Sequence, residues 1–257
     1  MAGLFVTAGI DAGMDVMVHS ALGRLGYLVN GAHDAIDAML DVLGSDGTML
    51  VPAQSGHLTD PAEWKNPPVP PAWQDVIRAN MAPFDPHRTP ARNRGMLVET
   101  FLSYPQMRRS HHPIASIAAI GAKAQYYTQD HPLHEMLGIG SPVHKLYLAD
   151  GHVLFMNTGL AACTALHLAE FMAGDHFVTQ RQVTILVEDE NGRRFERLRK
   201  YPGLAHNFET LRQDFIAAGC LRETWLDDYR FTLLTLRPAV DLAVRRLQQD
   251  PEFLDRS

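Results

Sequence analysis

The sequence predicts an α/β fold in which a mixed or parallel central sheet is flanked by helices. The first observation is a strand, a helix and a strand in succession, because apolar residues 15–19 and 48–52 enclose an amphipathic stretch at residues 33–43. Strands joined in this way normally lie parallel with a right-handed crossover. The second observation is an apolar strand at residues 151–157 that leads into a helical segment. Ligands gather at the carboxyl edge of such sheets, so we expect a site where these strands end.

The helices of the first half are predicted from the spacing of apolar residues and from residues that end helices. The first helix is predicted from apolar residues at helical spacing, namely Ile36, Met39, Leu40 and Leu43, and Gly44 ends it. Shorter elements are predicted further along, with a helix at residues 95–104, a strand at residues 117–120 and a helix over residues 121–127.

The C-terminal part is expected to contain a β-hairpin followed by helices. Residues 182–188 alternate between apolar and polar, and an Asn-Gly pair separates them from a second run at residues 194–201. Asn-Gly between two such runs is a strong hairpin signal. Residues 208–218 are predicted to form a helix closed by a glycine, and residues 238–248 a further amphipathic helix.

Residues 54–94 are predicted to be a long irregular insertion within one domain that covers residues 1–257. Prolines crowd this stretch, which also contains Trp64 and Trp73. Long loops in compact domains are usually functional or disordered. The sequence leaves two interpretations open: a packed surface insertion, or a wall or lid of a substrate cleft.

Composition excludes several classes of protein. The 257 residues have a formal net charge of -6, 46% are hydrophobic and 20% are charged, which is typical of a globular protein. Since no basic stripe is present, a nucleic-acid partner is not expected. No apolar run is long enough for a transmembrane helix, and residues 1–12 do not resemble a signal peptide. The two cysteines, Cys163 and Cys220, favour a reducing compartment and hence a cytoplasmic location.

The stretch T-A-L-H-L-A-E at residues 164–170 is the most informative part of the chain. On a helix, residues three apart are neighbours, so Thr164, His167 and Glu170 lie on one side. Histidine can take up and return a proton near neutral pH. A hydroxyl and a carboxylate beside it are suited to holding its orientation and tautomer. The pattern alone is more typical of a packed or solvated histidine than of a catalytic one.

Other segments add to this pattern. They are H-S-A-L at residues 19–22, P-F-D-P at residues 83–86, R-R-S-H-H-P-I-A-S at residues 108–116 and S-P at residues 141–142. In this order and spacing, the segments resemble the aminoglycoside 3-N-acetyltransferase family over roughly residues 10 to 220. The stretch at residues 221–236 fits that family poorly.

The resemblance implies an acetyl-coenzyme A-dependent enzyme that modifies the 3-amino group of aminoglycosides and gives antibiotic resistance. His167 would be the general base, and the hydroxyl of Thr164 would touch the thioester. The family pairs this histidine with an acidic residue further along the chain, for which Glu209 is the first choice and Asp214 the second. Glu170 is expected to be a structural partner within the helix.

Two further groups of binding residues are expected from the resemblance. Coenzyme A would contact the turn after the first strand and the arginine-histidine segment, through Ser20, Ala21, Leu22, Gly23, Arg109, His112 and Ser116. The family pattern has serine where Ala21 stands, so one hydroxyl contact is missing or is supplied by Ser20. Because aminoglycosides are polycations, carboxylates should bind them, with Asp60, Glu63, Asp85 and Asp175 as candidates. Asp85 is equally suited to capping a local turn.

Several alternatives stay open. One is an acyltransferase for another amine in a biosynthetic pathway. Cys163, four residues before His167, raises the possibility of an acyl-enzyme. A metal-dependent hydrolase would use the histidines around His112 and His131, although neither group matches a zinc spacing, so no metal is expected. A non-catalytic drug-binding protein is the last alternative.

Overall fold

The described part of the chain contains nine strands. The computed structural model describes residues 1–179, 182–198, 202–203 and 205–254. Its strands are β1 Asp15–Ser20, β2 Thr48–Pro52, β3 Arg108–Arg109, β4 Ile117–Gly121, β5 His152–Met156, β6 Val183–Asp189, β7 Gly192–Leu198, β8 Leu221–Leu226 and β9 Tyr229–Thr235.

Seven strands form a mixed sheet in the order β3-β4-β2-β1-β5-β9-β8. The three central strands are parallel, since β1 pairs in parallel with both β2 and β5. The outer strands on both sides run antiparallel. The predicted α/β class and the parallel pairing of the first two strands are therefore confirmed.

Ten helices accompany the strands in the described part of the chain. They are α1 Ala2–Ala8, α2 Ala32–Leu43, α3 Pro71–Asn80, α4 Met96–Phe101, α5 Ala124–Thr128, α6 Pro142–Leu148, α7 Leu168–Ala173, α8 His176–Thr179, α9 Arg212–Ala217 and α10 Leu236–Gln249. Short 3-10 turns lie at Leu22–Arg24, Gly56–Leu58, Pro61–Glu63, Leu160–Ala162, Thr164–His167 and Ala205–Leu211. None of these helices is long and apolar enough to span a membrane.

The two faces of the sheet bury two separate hydrophobic cores. Side chains alternate between faces along a strand, so Met17 packs into one core while Val16 and Val18 pack into the other. Helices α5, α6, α7 and α10 contribute to the first core, and α1, α2 and α4 contribute to the second. Because both faces are covered, the central strands are apolar on both sides, which is why they stand out in the sequence.

The C-terminal region differs most from the prediction. The hairpin at Asn191-Gly192 is confirmed, but β6 and β7 form a sheet of their own. Residues 199–201, which the prediction included in the second strand, lie outside the described residues. A second hairpin, β8–β9, extends the main sheet beside β5. Neither strand of this hairpin was predicted, and β8 is an edge strand, L-R-E-T-W-L, that is largely exposed.

The insertion at residues 54–94 is more regular than expected. It contains α3, which begins with Pro71 in its first turn, a position where proline is favourable. Trp73, Val76 and Ile77 recur at helical spacing in α3, yet none of the residues of this helix is buried. Helix α6 was also missed, although Ser141 caps it by accepting a hydrogen bond from the His144 N–H and Pro142 follows directly.

Candidate active site

The main cavity lies where the parallel strands end. It has a volume of about 420 Å³, and its wall includes Val18 and Ser20 of β1, Pro52 of β2 and Thr158 after β5. Thr164 and His167 also line it. A cavity therefore lies at the carboxyl edge of the sheet, where a site was expected.

His167 and Glu170 form a hydrogen-bonded pair at this cavity. His167 ends the 3-10 turn Thr164–His167, and Glu170 lies in the first turn of α7. The His167 Nδ1 and Glu170 Oε1 atoms are 2.5 Å apart, and both residues are buried. An ionised carboxylate only accepts hydrogen bonds, so Nδ1 is the donor and Nε2 remains an acceptor.

Two neighbours hold this pair in place. The second oxygen of Glu170 accepts a hydrogen bond from the Gly203 N–H, and Gly203 itself lines the main cavity. The His167 ring packs edge-on against Phe208, with 5.1 Å between ring centroids. The orientation of the imidazole is therefore determined from two sides.

The acid expected to pair with His167 has a different role. Glu209 Oε2 accepts a hydrogen bond of 2.9 Å from the Leu160 N–H, and its other oxygen pairs with Arg212. Asp214, the second choice, lies 3.7 Å from Arg246. The partner of His167 in this structure is Glu170, because residues three apart at the start of a helix meet directly.

Arg109 is buried and donates hydrogen bonds to acceptors of the protein itself. Its guanidinium donates to Ala53 O, Ser55 Oγ and Thr89 O, and its Nε donates to Ser116 Oγ. Burial lowers the pKa of Arg109 to about 10, which still leaves it charged at neutral pH. The structure thus uses this arginine to fasten the insertion to the sheet, and its expected contact with coenzyme A phosphates is not supported.

His112 and Ser116, the two other predicted cofactor residues of this segment, are also buried. His112 is fully buried, its Nδ1 accepts from the Ile114 and Ala115 N–H groups, and its Nε2 lies 3.1 Å from Leu133 O. Ser116 donates to Ala53 O. Neither residue lines the main cavity, so both stabilise the loop after β3 instead of facing a cofactor.

The turn after β1 reaches the cavity with one predicted residue. Ser20 lines it, whereas the Ala21 N–H is engaged with Met156 O at 2.9 Å. Leu22 and Gly23 lie in a 3-10 turn and are not among the residues that line the cavity. Of the four predicted backbone contacts, only the one at Ser20 is placed at the site.

The four carboxylates expected to bind a polycation lie outside the main cavity. Asp60 is bound by Arg78, with 2.7 Å between Asp60 Oδ1 and Arg78 Nη2. Both oxygens of Glu63 accept from the Thr184 N–H. Asp85 caps its own turn by accepting from the His87 and Arg88 N–H groups. Asp175 lies on the surface between α7 and α8, and is not part of the cavity wall.

His19, Asn93 and Arg94 are among the residues of the cavity wall that were not predicted from the sequence. His19 stacks on Phe155 with ring centroids 5.4 Å apart. Burial, with the nearby charge of Arg94, lowers the pKa of His19 to about 3, so the ring is neutral at physiological pH. A histidine as the penultimate residue of a buried strand was the signal available for this position.

Two alternative chemistries find no support in the described residues. The thiol of Cys163 is buried, and burial raises its pKa to about 12, so it is protonated and a poor nucleophile. Within the described ranges, no three histidine, cysteine or acidic side chains are grouped so that they could hold a metal ion.

Comparison with known proteins gives the family. The model of the family described as aminoglycoside 3-N-acetyltransferase matches residues 17–248. The chain is 36% identical to the SPbeta prophage-derived aminoglycoside N(3')-acetyltransferase-like protein YokD of Bacillus subtilis, over 91% of this chain and 86% of that protein. It is 35% identical to aminoglycoside N(3)-acetyltransferase VIII of Streptomyces fradiae, over 82% and 77% of the two chains.

Solved structures agree with these relatives. The crystal structure of YokD matches with a TM-score of 0.87 at 32% identity, covering 97% of both chains. AAC-IIIb, solved as a binary complex with CoASH, matches with a TM-score of 0.82 at 31% identity, covering 96% of this chain and 94% of that one. With its mixed sheet and the His167–Glu170 pair at the cavity, this chain belongs to the aminoglycoside 3-N-acetyltransferase family of acyltransferases.

Proposed function

We propose that this protein transfers the acetyl group of acetyl-coenzyme A to the 3-amino group of an aminoglycoside, with His167 as the general base. The observation that carries the proposal is the His167–Glu170 hydrogen bond at a cavity on the carboxyl edge of the sheet. Acetylation would remove a positive charge from the drug and thereby give resistance.

The geometry supports a direct transfer. With Nδ1 held by Glu170, His167 Nε2 is the atom that accepts a proton from the attacking amine. The amine nitrogen forms a bond to the thioester carbon, the carbon–sulfur bond breaks, and the coenzyme leaves as its thiol after taking the proton. Glu170 stabilises the imidazolium that forms in between, since its carboxylate lies beside Nδ1.

Thr164 is suited to the oxygen of the thioester. It lies one helical turn before His167 and lines the same cavity. As negative charge develops on that oxygen, a hydroxyl donor close to it lowers the barrier. We assign the position of the acetyl-pantetheine arm to the main cavity, with Ser20 as one of its contacts.

One observation favours a different kind of amine as the acceptor of the acetyl group. The described residues that line the main cavity include no carboxylate. A site for a polycation normally presents carboxylates, so an amine of another kind is the alternative acceptor.

Thiol release from acetyl-coenzyme A, measured with a panel of aminoglycosides, tests the proposal. His167→Ala should lower kcat by about 10²-fold or more, because general-base catalysis contributes about 10²- to 10⁴-fold. His87→Ala, at an exposed histidine outside the cavity, should leave kcat unchanged. Release that survives His167→Ala would overturn the assignment of the base, and no release with any amine would overturn the proposed function itself.

A further inference from the structure

The loop at residues 157–162 leads from the end of β5 toward His167, and we call it the cavity loop. Its residues Thr158, Ala161 and Ala162 line the main cavity. Because the side chains of threonine and alanine are short, the position of the loop backbone determines where this part of the cavity wall lies.

The first residues of the cavity loop are held by Arg230 of β9. The Asn157 N–H donates to Arg230 O, and the Arg230 N–H donates to Asn157 Oδ1, both at 2.8 Å. Arg230 Nη2 donates to the carbonyl oxygen of Thr158 at 3.1 Å. Asn157 has a φ of 52°, a left-handed conformation that asparagine adopts more readily than most residues. Arg230 therefore fixes the cavity loop at the point where the chain turns away from the sheet.

The middle of the cavity loop is held by Glu209. Its Oε2 atom accepts a hydrogen bond of 2.9 Å from the Leu160 N–H. A Cβ atom on Gly159 would lie 2.9 Å from the same oxygen, so any other residue at this position would push the carboxylate away. The backbone of the loop and the Glu209 carboxylate are therefore in direct contact.

Two further charged side chains connect Glu209 to Arg230. Arg212 pairs with Glu209, and its Nη1 lies 2.5 Å from Glu223 Oε1. The same Glu223 oxygen is 3.9 Å from Arg230 Nη1. We call Glu209, Arg212, Glu223 and Arg230 the charged network. Its charges alternate in sign, and the Arg212 side chain is only 13% exposed, so the attraction within the network is less screened by solvent than that of an exposed pair.

The charged network includes both strands of the C-terminal hairpin. Glu223 belongs to β8 and Arg230 to β9, within the stretch at residues 221–236 that fits the family pattern poorly. This hairpin holds the cavity loop from outside the cavity. A change in the hairpin is therefore able to move the cavity wall without replacing a residue that touches a substrate.

We propose that Arg230 is a positioning residue that determines how tightly the main cavity holds the acetyl-pantetheine arm of the coenzyme. The inference rests on the proposed acetyl transfer, which assigns that arm to the main cavity. Without the guanidinium of Arg230, the Thr158 carbonyl loses the donor that Arg230 supplies, and the start of the cavity loop shifts. Displacement of the wall weakens binding of the arm, while His167 keeps its hydrogen bond to Glu170.

The test compares two arginines of the same hairpin. Arg230→Met removes the guanidinium beside Thr158, whereas Arg222→Met removes one that donates to Thr7 O in α1. Arg230→Met should raise the Kd for coenzyme A, measured by calorimetry, and the KM for acetyl-coenzyme A by roughly tenfold, slightly less than the full contribution of a hydrogen bond to a charged group. Arg222→Met is the matched control and should leave both constants unchanged. Arg230→Lys, which keeps the charge and one donor, should recover part of the loss.

Two further measurements separate positioning from a general loss of structure. Thermal unfolding of each preparation gives its stability, and the pH dependence of kcat reports on His167, so Arg230→Met should leave that pH dependence unchanged. Glu223→Gln should raise the KM for acetyl-coenzyme A in the same direction. It should add little when combined with Arg230→Met, because both substitutions act through one network.

Unchanged Kd and KM values in Arg230→Met, or an equal rise in Arg222→Met, would overturn the inference. An altered pH dependence of kcat in Arg230→Met would also overturn it, since Arg230 would then act on His167 rather than on the cavity wall. If the wild type bound coenzyme A but released no thiol with any amine, the proposed function would fail, while the Kd values would still decide the role of Arg230. Absence of coenzyme A binding by the wild type would overturn both.

Discussion

The segment at residues 108–116 and the segment at residues 164–170 carry similar chemistry in sequence but differ in the fold. Both contain histidine and hydroxyl groups, and both match family motifs. In the first, Arg109 and His112 are satisfied by protein atoms. In the second, His167 has one nitrogen bound by Glu170 and lines an open cavity. The comparison shows that a polar motif is available for chemistry only where the fold places it on the wall of a cavity.

The largest expected effect is a loss of stability when the segment at residues 108–116 is changed. Arg109→Met should lower the free energy of unfolding by about 3–5 kcal/mol, because several buried acceptors lose their donor at once. Chemical denaturation followed by circular dichroism measures this loss. Arg108→Met, at the exposed neighbouring position, should change the stability little. If Arg109→Met instead left stability intact and raised the KM for acetyl-coenzyme A, this arginine would be a cofactor residue after all.

The next largest effect is a loss of activity when the segment at residues 164–170 is changed. In the proposed mechanism, Glu170→Gln removes the charge that stabilises the imidazolium of His167, so kcat should fall by about a hundredfold. Stability should fall as well, because the amide can accept from only one of the His167 and Gly203 N–H donors. Steady-state kinetics, with a thermal unfolding curve for the same preparation, separate the two effects. A variant with unchanged kcat would show that Glu170 only supports the helix.

A smaller effect is the pH dependence contributed by the internal histidines. Burial lowers the pKa of His131 to about 4 and places that of His112 well below its usual value near 6.5. Below about pH 6.5 the unfolded chain binds protons that these buried rings do not, so stability is lost as the pH falls toward 4. Each histidine contributes up to about 1.4 kcal/mol per pH unit in this window.

Unfolding free energies measured between pH 7 and pH 5 check this slope. His131→Gln should flatten it, although the variant is less stable at pH 7 because contacts to Ser110 and Met136 are weakened. His87→Gln, at an exposed histidine, serves as the control. An unchanged slope in His131→Gln would contradict the assignment of a neutral buried ring.

The smallest effect is expected for Glu209→Gln. Glu209 holds the Leu160 N–H and Arg212, and makes no contact with His167 in the described structure. The variant should lose about 1 kcal/mol of stability and keep kcat within about threefold of the wild type, since a neutral amide still accepts the Leu160 N–H. A loss of kcat comparable to that of Glu170→Gln would restore Glu209 as a functional acid.

Much of the fold could be predicted because strong local patterns marked it. Strands β1, β2, β4 and β5 are apolar and largely buried, and α2 and α10 are amphipathic. Two of the elements that were missed contain few buried residues. Strand β8 is half exposed at the edge of the sheet, and α3 buries none of its residues. Their positions depend on contacts with distant parts of the chain.

By itself, the sequence predicted the α/β class, the parallel pairing of the first two strands and His167 as the candidate general base, since these follow from periodicity and short motifs. Only the tertiary structure decided that Glu170 rather than Glu209 pairs with His167. It also decided that Arg109 is internal and that Arg94 lies at the cavity. The physical reason is that hydrogen-bond partners and solvent access depend on residues far apart in sequence, which local patterns do not specify.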